Sequence, residues 1–288
     1  MDLSVIIPSL NAARTIATQL EALATQKWSR SWEVIIADNG SCDETLEIVR
    51  QYRNRLPGLR IVEARERRGA AHARNVGVAA AASRNVVFCD ADDEVAPGWV
   101  AAIGEALFEH GFVASRFDTG KLNHRELQRV LGNPQYRELQ KLWYSPFLPH
   151  AGGSGMGVKR EIHDAVGGFD ETLLRLSDTD YCVRIQKRGI RLHFVEDAVV
   201  NVRCRDSLRA LYRQSRGFAE YNVLLYKRYR TSATGSSALW SSYVRDWIAL
   251  LRALRGIHRE QGRGVLAWRL GRQIGRLVGS VKHWVPPV

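Results

Sequence analysis

One group of side chains has the composition of a divalent-cation site. Asp90, Asp92 and Asp93 directly follow the continuous apolar residues 86–89. Because side chains alternate along an extended backbone, Asp90 and Asp92 lie on the same side and concentrate negative charge at one strand end. Carboxylate oxygens in such a place suit Mg²⁺ or Mn²⁺ bound to substrate phosphates. A solvated acidic turn, or Asp93 capping the next helix, accounts for the same residues without a ligand.

Other acidic residues could also take part in chemistry, and each has a structural explanation as well. Asp38 follows the apolar residues 34–37, where it could bind a ribose or a base edge, or stabilise a turn with Gly40. Asp178 and Asp180 stand at a predicted helix start, where the helix dipole favours carboxylates. One of these two could instead act as a general base on a nearby hydroxyl group.

Motifs of several other protein classes are missing from the chain. The sequence contains no GxxxxGK(S/T) motif, which excludes a P-loop NTPase. It contains no GxSxG motif either, so it does not support a hydrolase with a nucleophile elbow. The glycine-rich residues 153–157 do not follow the first strand, which argues against a dinucleotide-binding fingerprint. His72, His150 and His193 lack metal-ligand spacing, and we interpret each as a surface or core residue. The 4 cysteines form no CxxC pair, which fits a reducing, cytoplasmic setting without a zinc site or disulfide framework.

The elements that must position these residues alternate between strands and helices in the first part of the chain. Short β-branched segments predict strands over residues 3–8, 33–37, 59–63 and 85–89. Helical spacing of apolar residues and helix-start signals predict helices over residues 12–26, 44–55, 70–82 and 97–109. Such alternation predicts right-handed βαβ units in a doubly wound, mostly parallel sheet, whose ligands bind at the carboxyl ends of the strands.

The rest of the chain divides into an irregular middle and a helical end. Residues 117–150 are irregular apart from a short helix near 126–131. The patterns that follow predict a strand over 154–159, a helix over 179–188 and a strand over 191–195. Helices are then predicted over 208–229, 237–257 and 265–281, with a linker over 231–237. We therefore predict two domains, residues 1–205 and residues 206–288.

Positive charge is concentrated at the end of the chain. Residues 203–288 contribute +13 to the net charge of +12, from 17 Lys and Arg against 4 Asp and Glu, and residues 1–202 contribute −1. The last two predicted helices separate apolar from cationic faces, which is typical of helices lying on an anionic membrane surface. Alternatively, the apolar faces pack on the rest of the protein or on a second subunit while the arginines stay solvated. No apolar run approaches the roughly 20 residues needed to cross a bilayer, so we expect no integral membrane segment.

Five segments, in order, resemble the motifs of the family 2 glycosyltransferases, which are inverting enzymes with the GT-A fold. They are residues 4–11 (SVIIPSLN), 34–43 (VIIADNGSCD), 69–77 (GAAHARNVG), Asp90-Ala91-Asp92 in place of the DxD motif, and 167–171 (GGFDE) followed by Asp178, Asp180 and Arg184. The resemblance covers roughly residues 1–205. It implies an α/β, GT-A type fold with a doubly wound, mostly parallel sheet, to which a C-terminal helical extension is added.

The resemblance also implies a role for individual residues. Pro8 and Ser9 would line the nucleotide pocket, Asp38 would contact the base or ribose, and Arg68 would be a further partner of the nucleotide. Asp90 would contact the ribose or donor sugar, and Ala91 would belong to the donor-binding residues. Asp92, with Asp90, would hold Mn²⁺ or Mg²⁺ on the diphosphate, and Asp178 would deprotonate the acceptor hydroxyl. The product would have the inverted anomeric configuration.

Three departures from the family pattern affect the predicted site. Asn39 stands where the family carries a second acid, and Ser177 precedes Asp178 where the family often has Glu. The late histidine of many GT-A enzymes has no counterpart in residues 199–205. We hypothesise that Arg203 and Arg205 neutralise the diphosphate instead, since arginine binds phosphate through two hydrogen bonds. The alternative is that both are surface arginines.

The sequence thus predicts an inverting glycosyltransferase that moves a sugar from a nucleotide-diphospho-sugar, expected to be a UDP-sugar, to an acceptor hydroxyl. The acceptor would be a glycan, a lipid-linked glycan or another hydroxyl compound, and no nucleic-acid partner is expected. The expected location is the cytoplasm, at the inner face of the membrane if the basic helices bind lipid. The sequence allows either a monomer or a homo-oligomer. The alternatives are a non-catalytic protein of the same fold that binds glycans or nucleotide-sugars, and a basic nucleic-acid-binding protein.

Overall fold

A computed structural model describes residues 1–142, 144, 146–230, 236–256, 258 and 260–286. These residues form two compact units. The first contains Met1–Lys121, Asn133–Gln140 and Pro149–Arg203, and the second contains Leu122–Gly132, Lys141–Leu148 and Cys204–Val288. The predicted domain boundary between residues 205 and 206 stays a prediction.

The first unit is built on a mixed sheet of eight strands. In chain order the strands of the structure are β1 (Leu3–Ser9), β2 (Trp32–Asp38), β3 (Arg60–Glu63), β4 (Asn85–Phe88), β5 (Glu94–Val95), β6 (Phe112–Asp118), β7 (Gln140–Lys141), β8 (Pro149–His150), β9 (Met156–Lys159) and β10 (His193–Asn201). All except β7 and β8 belong to the sheet, in the order β3-β2-β1-β4-β9-β6-β10-β5. The α/β fold class with a mostly parallel sheet is therefore confirmed.

The parallel half of the sheet, β3-β2-β1-β4, follows from continuous apolar sequence. Every residue of β2 and β4 is buried, and β1 is buried except at one half-buried position. Runs of valine and isoleucine suit strands whose two faces are both covered by helices. The antiparallel strand β9 lies between β4 and β6 and pairs with both of them. The alternating pattern of the first 120 residues does not reveal this insertion.

Seven helices of the described residues precede the long C-terminal helices; six of them belong to the first unit, and the fifth in chain order lies in the second unit. They are α1 (Ile16–Ala24), α2 (Thr45–Gln51), α3 (Ala70–Ala80), α4 (Trp99–Glu109), α5 (Arg125–Leu131), α6 (Arg160–Ala165) and α7 (Ser177–Gln186). The alanine-rich α3 approaches β1 so closely that a Cβ atom on Gly77 would collide with Ile6. Small side chains in α3 are therefore what allow its close contact with the sheet.

Several predicted boundaries differ from the structure. The helix expected over 12–26 is shorter, and the helix expected from Pro97 begins at Trp99, after Gly98 at a φ of +82°. The strand expected over 191–195 extends to Asn201, because β10 resumes its pairing with β6 after a register shift between Val195 and Val199. A bulge of this kind interrupts the local pattern and hides the second half of the strand.

The second unit is helical, as expected for the C-terminal extension. Its long helices are α8 (Leu208–Tyr229), α9 (Ser236–Ala253) and α10 (Glu260–His283), and a short 3₁₀ turn, Leu254–Gly256, follows α9. The predicted linker lies largely outside the described residues, since it includes 231–235. No helix in the described part of the chain is long and apolar enough to span a membrane.

Glycines allow α8 and α10 to pack at close range. Cβ atoms on Gly271 and Gly275 would meet the backbone oxygens of Tyr212 and Arg216 on α8. Gly279, one turn further along, faces Val223 in the same way. A spacing of four residues places all three glycines on one side of α10. This side therefore determines how the two helices fit together.

Candidate active site

The carboxyl ends of β1, β2 and β4 bring the first predicted site residues to one edge of the sheet. Ser9 at the end of β1 lies opposite Asp38 at the end of β2, and Pro8 lies opposite Ala37. Ser9 is 2% exposed. Its buried hydroxyl oxygen has no hydrogen-bond partner among the described residues. A buried hydroxyl without a partner is unfavourable unless a ligand or water satisfies it.

Asp38 is fully buried and accepts hydrogen bonds from the turn that follows it. Gly40 N donates to Oδ2 at 3.2 Å, and Ser41 N donates to Oδ1 at 3.1 Å. Arg65 Nη2 lies 3.8 Å from the same carboxylate. These contacts form the turn with Gly40 that was one of the two interpretations of Asp38. The other, contact with a nucleotide, stays a prediction.

Asn39 holds the loop that carries Arg68. Its Nδ2 donates to the carbonyl oxygen of Ala64 and, at 2.7 Å, to that of Arg67, and its Oδ1 accepts from Gly69 N at 2.8 Å. A carboxylate could make only the last of these three bonds, since it has no hydrogen to donate. The amide at this departure from the family pattern therefore has a structural function. Arg68 itself is exposed.

The acidic residues that follow β4 form one cluster. The carboxylates of Asp90, Asp92 and Asp93 each offer an oxygen, and these oxygens lie within 4.8 Å of one another. Burial of Asp93 and the nearby charges of Asp90 and Asp92 raise its pKa well above the usual value. Ala91, between the first two acids, is buried. Hard oxygen donors at this separation fit a divalent cation, which would oppose the raised pKa of Asp93.

Arg74 on α3 is a site residue that the sequence did not identify. It is 5% exposed, and its Nη2 donates to Asp90 Oδ1 at 2.6 Å. The guanidinium lies 5.5 Å from the centre of the Phe169 ring, and it leaves no room for a side chain at Gly153. The arginine of the GAAHARNVG segment is visible in the sequence as part of a motif, but nothing in the local pattern shows that its side chain reaches Asp90.

Asp178 lies at the start of α7, and the backbone N–H of Gly153 and the side-chain hydroxyl of Ser154 connect it to the acidic cluster. Gly153 N donates to Asp178 Oδ2 at 2.9 Å, and Thr179 N donates to its Oδ1 at 2.8 Å. The next residue, Ser154, accepts a hydrogen bond from Asp90 N at 3.2 Å. Asp178 and the acidic cluster are thus neighbours in the folded unit.

Asp180 is engaged elsewhere, so it does not compete with Asp178 for the role of base. Its carboxylate is fully buried and accepts from Arg184 Nε at 2.7 Å. Arg184 also donates to the carbonyl oxygens of Val166 and Gly168, both at 2.7 Å. Asp180 and Arg184 therefore hold the GGFDE segment against α7.

His150 lies beside Asp178, where the sequence predicted only a surface or core histidine. Its Nδ1 is 3.4 Å from Thr179 Oγ1. Burial lowers the pKa of His150, and the charge of Asp178 partly offsets this effect. The imidazole of His150 thus stands next to the predicted base, although no spacing in the sequence links the two residues.

Arg203 is the late arginine that the structure places at the acidic cluster. Its backbone N donates to Asp93 Oδ1 at 2.9 Å, and its Nε donates to the carbonyl oxygen of Asp92 at 3.0 Å. Arg205 belongs to the second unit and is exposed. The predicted contact of both arginines with a diphosphate stays a prediction.

Two family models match the chain. "Glycosyl transferase family 2" covers residues 4–167, and "Glycosyl transferase family group 2" covers residues 135–268. Glycosyltransferase AglE of Haloferax volcanii is 26% identical over 82% of this chain and 79% of its own length. The uncharacterized glycosyltransferase YibD of Escherichia coli is 43% identical over 95 residues, which is 33% of this chain. The chain spans 27% of the length of YibD.

Solved structures share the fold at low sequence identity. Staphylococcus aureus TarS in complex with UDP-GlcNAc matches with a TM-score of 0.57 and 18% identity, over 99% of this chain and 93% of that one. The mannosyltransferase PcManGT of Pyrobaculum calidifontis, in complex with GDP-Man and Mn²⁺, matches with a TM-score of 0.67 and 21% identity, over 96% of this chain and 86% of that one. These likenesses show the GT-A fold.

Proposed function

We propose that this chain, which belongs to glycosyl transferase family 2, transfers a sugar with inversion from a UDP-sugar to an acceptor hydroxyl. Glycosyltransferase activity follows from the family. The donor complexes of TarS and PcManGT support a nucleotide-sugar donor and leave UDP and GDP as the nucleotides to compare. The proposed acceptor is a hydroxyl group of a glycan or a lipid-linked glycan.

The observation that carries the proposal is the link between the acidic cluster and Asp178. Gly153 and Ser154, which are consecutive, contact Asp178 and the backbone of Asp90 respectively. A carboxylate suited to accept a proton therefore stands next to carboxylates suited to hold a cation on a diphosphate. A transferase that breaks a sugar–diphosphate bond needs both functions close together.

Asp90, Asp92 and Asp93 would hold the divalent ion, Mg²⁺ or Mn²⁺, because their oxygens are hard donors at a suitable separation. When bound, the ion would stabilise the negative charge that the leaving diphosphate gains. Arg203, whose Nε already contacts the backbone of Asp92, would add positive charge at the same place. Arg205 is proposed as its counterpart from the following segment.

Asp178 is proposed as the general base. Two backbone N–H groups fix its carboxylate, so that Asp178 is positioned to accept a proton. The acceptor hydroxyl would lose its proton to Asp178 as its oxygen attacks the anomeric carbon from the side opposite the diphosphate. This single displacement inverts the anomeric configuration.

The nucleotide is proposed to lie at the ends of β1 and β2. Pro8 and Ser9 would line its pocket, and the unpartnered Ser9 hydroxyl would bond to it. Asp38 would contact the base or ribose, although it would have to do so alongside its turn hydrogen bonds. Arg68 is exposed on the loop that Asn39 holds, and from this loop it would contact the nucleotide.

Calorimetric titration with UDP, GDP and dTDP, each with and without Mn²⁺, tests the donor site. We expect metal-dependent binding of UDP to the wild type and at least roughly tenfold weaker binding to Asp92→Ala, because the variant lacks one ligand of the cation. Asp197→Asn, on the exposed part of β10, is the control and should bind normally. Metal-independent binding, or equal binding by Asp92→Ala, contradicts the metal assignment, and binding of GDP alone contradicts the UDP assignment.

Turnover of the bound donor tests the general base. We expect Asp178→Asn to bind donor and Mn²⁺ like the wild type and to lower kcat by about 10²–10⁴-fold, since a positioned base contributes on this scale. The measurement is donor consumption with a hydroxyl acceptor, or slow donor hydrolysis by water if no acceptor is known. An Asp178→Asn variant with wild-type kcat would exclude Asp178 as the base.

A further inference from the structure

The exposed side of α9 combines aliphatic side chains with arginines. Val244, Ile248 and Leu251 are spaced by four and three residues, which places them on one side of the helix. They are 52%, 43% and 61% exposed. Leu254, in the 3₁₀ turn that continues α9, is 47% exposed. We define these four residues as the α9 stripe.

The opposite side of α9 packs on α10, within the second unit. Arg276 Nη1 of α10 donates to Asp246 Oδ2 at 2.6 Å, and Arg269 donates to the carbonyl oxygen of Ala249. Leu250, next to this contact, is buried. At 100° per residue, Asp246 and Ala249 lie opposite the α9 stripe. The stripe therefore faces away from the hydrogen-bonded contact between α9 and α10.

Arginines border the α9 stripe. Arg245 and Arg252 follow Val244 and Leu251 in sequence and lie along the same edge of the stripe, and Arg255 lies beside Leu254. All three are exposed. They belong to the region, residues 203–288, that carries +13 of the net charge. An aliphatic line with cationic residues along its edge is the pattern of a helix that lies in the headgroup region of an anionic bilayer.

We propose that the α9 stripe docks this protein on an anionic lipid bilayer. The aliphatic side chains enter the boundary between headgroups and acyl chains, and the bordering arginines contact lipid phosphates. This proposal goes beyond the transfer reaction and does not rest on it, because lipid binding requires neither donor nor acceptor. It places the membrane contact of the basic C-terminal region on the α9 stripe and its bordering arginines.

Two other occupants fit the α9 stripe less well. A second copy of the chain would bring the same arginines toward one another, and a stripe of four side chains is small beside the roughly 800 Å² per partner of a standard interface. A nucleic acid would use the arginines but would leave the aliphatic centre without a suitable partner, since phosphate contacts dominate such binding. Only a lipid surface uses both components.

Vesicle co-sedimentation of the full chain, without nucleotide, tests the proposal. We expect binding to phosphatidylcholine vesicles that contain about a quarter phosphatidylglycerol, and weak binding to pure phosphatidylcholine. The double variant Ile248→Asp/Leu251→Asp should partition at least about tenfold less, because each aliphatic side chain contributes transfer free energy and each new charge opposes it. Phe108→Asp, which alters an exposed aromatic residue of the first unit, is the matched control and should bind like the wild type.

A second variant separates the electrostatic component. Arg252→Gln/Arg255→Gln keeps the aliphatic residues and should lose most of the preference for anionic over neutral vesicles. Circular dichroism and the unfolding midpoint, unchanged in both double variants, would show that they fold. Wild-type binding by the aspartate variant overturns the proposal. Binding of a DNA duplex by a protein that does not bind vesicles also overturns it. The same holds if the wild type sediments as a dimer and the aspartate variant, but not the glutamine variant, sediments as a monomer.

Discussion

At the scale of single residues, Asn39 shows how a departure from a family motif can be structural. An acid at this position would place a carboxylate oxygen against the carbonyl oxygens of Ala64 and Arg67, which the Asn39 amide now contacts as a donor. Those two hydrogen bonds, together with the one from Gly69 N, anchor both ends of the loop. The amide therefore matters for the geometry of the loop and not for charge at the site.

Replacement of Asn39 by Asp should destabilise the protein by about 2 kcal/mol, because the buried carbonyl oxygen of Ala64 and the partly buried one of Arg67 lose their donor and meet a carboxylate instead. The effect should also weaken nucleotide binding, since the loop carries Arg68. Urea unfolding and calorimetry measure the two effects. Asn54→Asp, an exposed change of the same chemistry, should leave both unchanged. Equal stability of Asn39→Asp and the wild type would show that the loop does not depend on these bonds.

At the scale of elements, α7 separates two acids that the sequence could not distinguish. Asp178 and Asp180 are two residues apart, so at 100° per residue their side chains leave α7 in nearly opposite directions. Asp178 meets Gly153, and Asp180 meets Arg184. Helix geometry thus gives one acid a place beside the acidic cluster and the other a structural ion pair.

The glycines of α10 provide an element-scale test of packing against α8. Gly275→Ala should destabilise the second unit by about 2 kcal/mol, because the new methyl group collides with the backbone oxygen of Arg216 and α8 must shift. Gly264→Ala is the matched control, since its Cβ would lie 3.3 Å from a methyl group of Val130, which needs to shift by only a few tenths of an ångström, and alanine favours a helix. Thermal unfolding of both variants measures the difference. A Gly275→Ala protein as stable as Gly264→Ala would contradict the close packing.

At the scale of the whole molecule, histidine burial should make stability depend on pH. Burial lowers the pKa of His163 to about 4, from an unfolded value of 6.5, and it also lowers the pKa values of His150, His193 and His283. A lowered histidine pKa means that the unfolded chain binds more protons. The stabilisation is therefore fully present above pH 6.5 and is lost as the pH falls toward 4.

We expect titration of the buried histidines to lower the urea midpoint of the wild type between pH 7 and pH 4, with His163 contributing on the order of 3 kcal/mol. Asp93, whose raised pKa favours the folded chain as the pH falls, opposes part of this change. His163→Gln should show a shallower fall over the same range, since the buried group no longer titrates. Its stability at pH 7 can be lower, because the contact of His163 with the Tyr181 hydroxyl is changed. Parallel pH profiles for the two proteins would show that His163 is not responsible.

Local patterns in the sequence are enough to identify the components of the site and their order along the chain. Strand patterns placed Ser9, Asp38 and Asp90 after apolar segments, and the ends of parallel strands meet at one edge of a sheet. The acidic residues at the start of α7, and the family to which the motifs belong, could also be identified from the sequence. These features depend on periodicity and on turn chemistry, which act between residues close together in the chain.

Which of these components meet depends on contacts between distant parts of the chain. Arg74 reaches Asp90, Gly153 reaches Asp178, and Arg203 reaches Asp92 across separations of 16, 25 and 111 residues. The same holds for His150 beside Asp178, and for the exposure of one side of α9. Such contacts depend on strand order, including the antiparallel β9 between β4 and β6, and on how closely helices pack. Because those arrangements minimise the free energy of the whole chain, no local pattern specifies them.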